Sequence, residues 1–253
     1  MIISRKHKYI FVGIPFSGST AISRELCLLY DGEPIVTKHA NIQMLFGSGI
    51  DLSSYRVAAV LRNPVEFMKT YYHKLKNPPA GYYVDPVYNI ENGGHIRQQD
   101  RERYAVVQAR NLTFSQFIAK YYRLPYDTFF SLNKPYLDYV IRFADLNSSF
   151  REFLGQCGIE PLRDLPVLNK SDSKESGESG EDAIPLSFRP FIYEHKDLLQ
   201  IDIEKPCLPY YQFYRLLKPL RFAHWNRVDR KRPIEKYGTY YELVNQSVSR
   251  KDA

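Results

Sequence analysis

The sequence predicts an α/β fold in which helices flank a central parallel sheet, within a single domain over residues 1–253. Two segments, residues 8–12 and 56–61, each begin with a basic residue and continue as an apolar run with the composition of a buried parallel strand. Each run is followed by a polar loop and then by apolar residues at helical spacing, and this alternation is typical of an α/β sheet. Because 44% of the 253 residues are hydrophobic and no break in composition divides them, we expect one substantial core.

The first strand leads into the loop Gly13-Ile-Pro-Phe-Ser-Gly-Ser-Thr20, which follows the phosphate-binding template G-x-x-x-x-G-K-[ST] at every fixed position but one. In such a P-loop the backbone N–H groups and the positive end of the next helix bind a phosphate. Ser19 stands where the template has the lysine that contacts the terminal phosphates of a nucleoside triphosphate. The loop therefore predicts a P-loop-like, nucleotide-binding fold that is not adapted to ATP, with a helix over residues 21–30.

The second strand is followed by a similar arrangement of polar loop and helix. Residues 56–61 end at Arg62-Asn-Pro64, and apolar residues at helical spacing predict a helix over residues 65–75. Pro64 falls in the first turn of that helix, where its missing N–H is harmless. An arginine at the end of a buried strand is suited to a charge-assisted contact with a phosphate.

Two segments outside these units are also candidates for a role at the site. A short β-branched strand is predicted over residues 34–37, and it leads directly to Lys38 and His39. Residues 76–94 are rich in Pro, Gly, Tyr and Asn, which predicts a long irregular loop over one end of the sheet. Such a loop is suited to act as a lid over an acceptor substrate.

The rest of the chain adds two helices, one strand and two polar segments. A mobile surface loop is expected over residues 171–183, because residues 171–182 include no apolar side chain to offset the entropy of ordering. The basic, aromatic segment 218–253 is expected to pack through its aromatic rings and to expose its charges. The other predicted elements are a helix from Thr113 to Tyr122, a strand over residues 139–143, and a helix over residues 148–157 closed by Gly158.

Charge and cysteine content limit the classes of partner and compartment. The net charge of +7 and the pI near 9.1 suit anionic partners, such as a nucleotide, an acidic glycan, nucleic acid or a membrane surface. Apolar runs are shorter than the roughly 20 residues that span a bilayer, and the first residues lack a signal-peptide core, so we expect a cytoplasmic protein with no transmembrane segment. Cys27, Cys157 and Cys207 lack metal-ligand spacing, and we expect reduced thiols and no metal site.

Three motifs stand in order in the first 72 residues: Pro15-Phe-Ser-Gly-Ser-Thr20, then Lys38-His39, then Arg62 with Thr70 eight positions later. Together they resemble the sulfotransferases that use 3′-phosphoadenosine 5′-phosphosulfate (PAPS) as donor. The first motif is similar to the family's 5′-phosphosulfate loop. The third is similar to its 3′-phosphate motif, in which an arginine after a buried strand precedes a hydroxyl residue in the next helix. The second lies where the family often has a lysine and the histidine that serves as general base.

The resemblance implies a sulfotransferase fold and the transfer of a sulfuryl group from PAPS to an acceptor hydroxyl, with adenosine 3′,5′-bisphosphate as the other product. It assigns catalytic roles to His39, as the general base, and to Lys38. The residues that it assigns to donor binding are Pro15, Phe16, Ser17, Gly18, Ser19, Thr20, Arg62 and Thr70.

Two positions differ from the pattern of many members of that family. Phe16 stands where many of them have a lysine that meets the charge on the bridging oxygen, and Lys38 is the nearest substitute. Ala21 replaces an aromatic residue that the soluble small-molecule branch stacks on adenine, which favours the carbohydrate or bacterial branches. The expected partners are therefore a nucleotide donor and a hydroxyl-bearing acceptor, either a glycan or another small molecule.

Two other classes of function remain as alternatives. A P-loop phosphotransferase of the kinase type is disfavoured because Ser19 replaces the lysine and no clear aspartate follows a second strand to hold Mg²⁺. A non-enzymatic module for nucleic acid or another polyanion would use the basic, aromatic C-terminal segment, and its binding would fall steeply with salt. Nucleic acid is the less favoured partner, because the loop motifs point to a nucleotide.

Overall fold

The computed structural model describes residues 1–36, 38–92, 96–166 and 184–229. Within these ranges five strands form one sheet, which helices flank, and the predicted α/β class is confirmed. The strands are β1 (Ile2–Ser4), β2 (Tyr9–Val12), β3 (Glu33–Pro34), β4 (Arg56–Leu61) and β5 (Tyr139–Arg142), in the spatial order β3-β1-β2-β4-β5.

The sheet is mixed, so the expectation of a parallel sheet holds for three strands and is wrong for the other two. β2 runs parallel to β4, and β4 runs parallel to β5. β1 instead pairs antiparallel with both β2 and β3. The four residues 5–8 connect β1 to β2, and a connection this short joins antiparallel neighbours because parallel strands need a long crossover.

The parallel half of the sheet places the two polar loops side by side. Tyr9 pairs with Arg56 and Val12 pairs with Ala59, so β2 and β4 end at the same edge of the sheet. The loops that begin at Gly13 and Arg62 therefore emerge next to each other. This is the carboxyl edge, where open α/β sheets bind their ligands.

The helices account for about half of the remaining described residues. They are α1 (Ser19–Leu29), α2 (Pro64–Lys76), α3 (Gln98–Arg110), α4 (Phe114–Tyr121), α5 (Phe129–Asn133), α6 (Leu146–Gln156), α7 (Arg189–Glu194), α8 (Lys196–Leu199) and α9 (Leu208–Asp229). Short 3₁₀ turns occur at Ile42–Leu45, Leu52–Ser54, Pro86–Tyr88, Ile90–Asn92 and Lys134–Tyr136. No helix of the described ranges has both the length and the apolar content needed to cross a membrane.

Three clusters of buried apolar side chains hold these elements together. Phe11 and the other side chains on its face of the sheet pack against α1 and α6. Ile10, which points to the opposite face because side chains alternate along a strand, packs against the segment around Ile42. The third cluster begins at Leu61 and joins α2, α3, α4 and α7. α2, which follows Arg62, is therefore packed against the end of β4 at Leu61 and against its neighbouring helices.

Local capping signals explain why several predicted helices form where the sequence places them. The side chain of Asn63 accepts a hydrogen bond from the N–H of Val65 at 2.9 Å, and Pro64 is the first helical residue of α2. Thr113 and Gln116 form a reciprocal capping box at the start of α4. These contacts satisfy N–H groups that the first helical turn leaves without partners.

Other elements differ from the sequence prediction. The strand predicted over residues 34–37 is two exposed residues at the sheet edge, because Val36 has a φ of 58°, outside the extended region. Thr37 lies outside the described residues, as do the loop over residues 171–183 and residues 230–253 of the basic, aromatic segment. Residues 98–110 were not predicted as a helix, because Val107 is the one buried residue of α3 and leaves no apolar period.

Candidate functional site

The loop after β2 is fixed by its own side chains. The hydroxyl groups of Ser17 and Ser19 both donate to the carbonyl oxygen of Ile14, at 2.7 and 2.9 Å. Both serines are buried. Because each hydroxyl has one proton to donate, both protons serve the loop itself. The backbone N–H groups and the hydroxyl of Thr20 are therefore the donors that the loop offers to a ligand.

Two residues of this loop have a left-handed backbone. The φ angles are 54° at Phe16 and 72° at Gly18. A Cβ atom at position 18 would lie 2.9 Å from Cδ2 of Leu146, so both the angle and the available space require glycine there. α1 begins at the next residue, and the N–H of Ala21 donates to the carbonyl oxygen of Gly18 at 3.0 Å. The chain reversal thus places the positive end of a helix at the loop.

Gly13 allows the segment of Lys38 and His39 to lie directly against the loop. A Cβ atom at position 13 would lie 2.6 Å from the carbonyl oxygen of Lys38, which is too close for any side chain. The ammonium group of Lys38 donates to Oγ1 of Thr20 at 2.9 Å. Nδ1 of His39 lies 2.8 Å from the carbonyl oxygen of Gly13. The structure therefore brings the predicted lysine and histidine to the two ends of the predicted phosphate loop.

Arg62 joins the second motif to the first. Its Nη1 donates to the carbonyl oxygen of Phe16 at 2.7 Å, and its Nη2 donates to Oγ1 of Thr70 at 2.9 Å. The guanidinium also lies over the ring of Phe143, with 4.1 Å between Cζ and the ring centroid. Thr70 donates its own proton to the carbonyl oxygen of Glu66 at 3.0 Å. In this arrangement Thr70 orients the guanidinium.

The charge of Arg62 is incompletely compensated. Its side chain is 15% exposed, and the one carboxylate near it belongs, among the described residues, to Glu66, 3.7 Å from Nε. Nε itself is buried and has no hydrogen-bond partner in the described part of the chain. Burial lowers the pKa of Arg62 below its ordinary value, and the carboxylate of Glu66 opposes that effect only in part. An anion bound beside this guanidinium would stabilise it.

The sequence prediction did not include Lys74. Its Nζ lies 5.8 Å from the centroid of the Phe16 ring and donates to the hydroxyl of Tyr82 at 2.9 Å. Burial lowers the pKa of Lys74, and the ammonium group of Lys38 lowers it further. The signal that could have found it is helical spacing, since Glu66, Thr70 and Lys74 recur every four residues on one face of α2.

All ten predicted site residues lie in one region at the carboxyl edge of β2 and β4. The hydrogen bonds given above link the loop, Lys38, His39, Arg62 and Thr70 to one another. A groove of about 490 Å³ opens elsewhere, between α4 and residues 185–187, and no predicted site residue lines it. Across residues 1–36, 38–92, 96–166 and 184–229, no three His, Cys, Asp or Glu side chains are grouped as they would be to hold a metal ion.

Comparisons with known proteins return no relative of this chain. No protein-family model matches it, and no curated protein or solved structure is significantly similar to it. The geometry of the site therefore supplies the argument for function.

Proposed function

We propose that this protein is a sulfotransferase of P-loop-like fold that transfers a sulfuryl group from PAPS to an acceptor hydroxyl. The observation that carries the proposal is the 2.7 Å hydrogen bond from Nη1 of Arg62 to the carbonyl oxygen of Phe16. It joins the predicted phosphate loop and a largely buried guanidinium within one site. A donor with phosphate groups at both the 3′ and the 5′ position of one nucleoside matches two such neighbouring anion positions.

Two features of the site fit such a donor. Nε of Arg62 is a buried donor with no hydrogen-bond partner among the described residues, and a phosphate oxygen is a suitable acceptor for it. Gly18 presents no side chain at the turn before α1, which allows a phosphate to approach the backbone closely. Pro15 to Thr20 would hold the 5′-phosphosulfate, and Arg62, oriented by Thr70, would hold the 3′-phosphate.

The hydrogen bond at Nδ1 suits His39 to the role of general base. The carbonyl oxygen of Gly13 can only accept a hydrogen bond, so Nδ1 of His39 carries the proton and Nε2 is the basic nitrogen of the neutral ring. His39 would take the proton of the acceptor hydroxyl while the hydroxyl oxygen forms its bond to sulfur. The bond from sulfur to the bridging oxygen breaks in the same step, and its electron pair stays on the phosphate.

Charge on the departing phosphate is met by groups that are already in position. PAPS supplies the activated sulfuryl group, joined through that bridging oxygen to its 5′-phosphate. With the 5′-phosphate in the loop, the loop N–H groups and the positive end of α1, which begins at Ser19, would stabilise the charge that grows on it. Lys38, held at Thr20, adds a full positive charge there. These groups need little rearrangement during the reaction, which is the condition for effective electrostatic stabilisation.

The long loop after α2 is suited to cover the acceptor. Tyr82 bonds to Lys74 beside the phosphate loop, and its half-buried ring lies 5.5 Å from the half-buried ring of Tyr88, measured between centroids. This loop therefore lies next to the donor site and presents aromatic rings. Aromatic faces suit a sugar ring or a phenol, which is the acceptor class that the proposal favours.

Calorimetric titration tests the donor site directly. Wild type should bind adenosine 3′,5′-bisphosphate without a metal ion and in preference to ADP with Mg²⁺. Arg62→Ala should weaken that binding by on the order of 2 to 5 kcal/mol, because a buried charge contact is lost. Arg151→Ala, which removes a surface arginine paired with Asp164, is the matched control and should bind as wild type does.

The alternatives predict different titrations. A preference for ADP with Mg²⁺ would favour a kinase-type phosphotransferase and overturn the proposal. Binding of neither nucleotide, together with salt-sensitive binding of a polyanion, would favour the non-enzymatic module. Equal binding of the bisphosphate by wild type and Arg62→Ala would remove the 3′-phosphate role of that arginine.

A further inference from the structure

The phosphate loop lacks a lysine at both positions where related loops have one. Ser19 occupies the position of the lysine in the nucleotide-loop template, and Phe16 carries a ring that cannot bear charge. The ring of Phe16 points toward α2, where it meets Phe67 at 5.2 Å and Tyr71 at 5.8 Å between centroids. The side chain at position 16 therefore packs against one face of α2.

Lys74 reaches the same space from α2. Its Nζ lies 5.8 Å from the centroid of the Phe16 ring and 4.3 Å from that of Tyr82. The hydroxyl of Tyr82 accepts a hydrogen bond from it at 2.9 Å. Lys74 makes no ion pair with a carboxylate within the ranges that the structure describes. Its charge is therefore held by aromatic faces and one hydroxyl, beside the phosphate loop.

Electrostatics at this position favour an anion. Burial is the main cause of the lowered pKa of Lys74, and the ammonium group of Lys38 adds to it. Asp100 opposes the shift, but its carboxylate accepts a hydrogen bond from the hydroxyl of Tyr71 at 2.6 Å. Lys38 at Thr20 and Lys74 beside Phe16 thus place two ammonium groups at the same loop, and a phosphate bound there would relieve their repulsion.

We infer that Lys74 binds the 5′-phosphate end of the donor, in place of the lysine that the loop lacks, and that Tyr82 positions its ammonium group. This inference rests on the proposed function, because it takes the ligand to be a nucleoside with phosphates at both positions. It assigns the two ends of the donor to side chains at opposite ends of α2. Lys74 serves the 5′ end, and Arg62, before the first turn, serves the 3′ end.

The test compares two ligands that differ in one phosphate. Adenosine 3′,5′-bisphosphate and adenosine 3′-monophosphate are titrated calorimetrically into wild type and Lys74→Met. The variant should bind the bisphosphate about tenfold more weakly and bind the monophosphate within about twofold of wild type. Lys76→Met is the matched control, since Lys76 lies in the same turn but bonds to Asn111 and Leu112, and it should leave both affinities unchanged.

Tyr82→Phe tests the positioning role without removing a charge. Loss of the hydroxyl should weaken bisphosphate binding by about two- to fivefold and leave the monophosphate unaffected. Tyr83→Phe, which alters the neighbouring ring in the same loop, should change neither affinity. Thermal unfolding of each variant shows whether it is folded, and the difference between the two ligands is independent of a general loss of structure.

Each outcome decides the inference. Equal weakening of both ligands, or none, in Lys74→Met would overturn it, and the proposed function would still stand if Arg62→Ala weakened bisphosphate binding. Failure of wild type to bind the bisphosphate would overturn both together. Selective weakening by Lys74→Met and not by Lys76→Met would support both.

Discussion

Nδ1 of His39 lies 2.8 Å from the carbonyl oxygen of Gly13, a residue 26 positions earlier in the chain. The contact fixes the ring orientation as well as the tautomer, because Nδ1 must donate and Nε2 is then the basic nitrogen. This contact is possible because position 13 is a glycine. A Cβ atom there would collide with the carbonyl oxygen of Lys38 and push the segment of His39 away. The first glycine of the phosphate motif thus also serves the candidate base.

His39→Ala should separate catalysis from donor binding. If His39 is the base, turnover with PAPS should fall by on the order of 10²- to 10⁴-fold while the affinity for adenosine 3′,5′-bisphosphate stays near that of wild type. In wild type, turnover should fall as the pH is lowered, because a protonated imidazole cannot accept the acceptor's proton. Steady-state rates and calorimetry measure the two effects, with His7→Ala as the control at a histidine paired with Asp31. Wild-type turnover in His39→Ala would remove the catalytic assignment.

Gly13→Ala should damage the site through the backbone. The added methyl group must displace the Lys38 carbonyl, so we expect a loss of on the order of 1 to 3 kcal/mol in the free energy of unfolding and a large drop in turnover. Gly155→Ala is the matched control, because a Cβ at that position in α6 would meet no atom within 4 Å beyond its chain neighbours and the adjacent helix backbone. Urea unfolding should show that this control is as stable as wild type or more stable. Equal stability of Gly13→Ala and wild type would show that the segment at Lys38 can shift to make room for the methyl group without a cost in folding free energy.

Glu66→Gln should strengthen donor binding. The Glu66 carboxylate lies 3.7 Å from Nε of Arg62 and would repel or compete with a phosphate bound there. Because the carboxylate is more than half exposed, solvent screens it, and we expect a gain of about two- to tenfold in the affinity for adenosine 3′,5′-bisphosphate. Glu102→Gln on α3 is the control for loss of one negative charge. Weaker binding in Glu66→Gln would show instead that the carboxylate holds Arg62 in its binding position.

Elements with a strong local signal could be predicted from the sequence. β4 has the predicted bounds because its apolar run is continuous, and α4 starts after Thr113 because the capping box is encoded within four residues. The direction of β1 could not be predicted in this way. β1 is three residues long, and its pairing depends on the short connection to β2 and on the buried face that it completes.

The site residues likewise divide into those that the sequence could predict and those that it could not. Motif spacing was enough to select Arg62 and Thr70, which the structure joins at 2.9 Å. Lys74 belongs to no motif, and its place beside the loop depends on where the ring of Phe16 packs. A contact of this kind arises from tertiary structure, so sequence spacing could at most have shown that Lys74 shares a helical face with Thr70.

Asp127 offers a test of the buried region under α9. It is 8% exposed, and its Oδ2 has no hydrogen-bond partner in the described part of the chain, although Oδ1 accepts from the N–H of Thr128 at 2.8 Å. Burial raises the pKa of this carboxyl to about 6, while the Ser131 hydroxyl, Lys218, the N–H of Thr128 and Arg221 oppose the shift. The ionised carboxylate therefore destabilises the folded protein above pH 6. The cost declines as the pH falls from about 6 toward the ordinary value of 3.8.

Asp127→Asn should accordingly be more stable than wild type at pH 8, by on the order of 1 to 3 kcal/mol, and the difference should shrink toward pH 4. Burial lowers the pKa of His195 to about 3, which destabilises the fold as the pH falls below the ordinary value of 6.5. Both proteins contain His195, so its contribution cancels in the difference. Urea unfolding at pH 8, 6 and 4 measures that difference, with Asp197→Asn as an exposed control that should show none. A variant less stable than wild type at pH 8 would mean that Ser131, Lys218 and Arg221 together stabilise the ionised carboxylate by more than its burial costs.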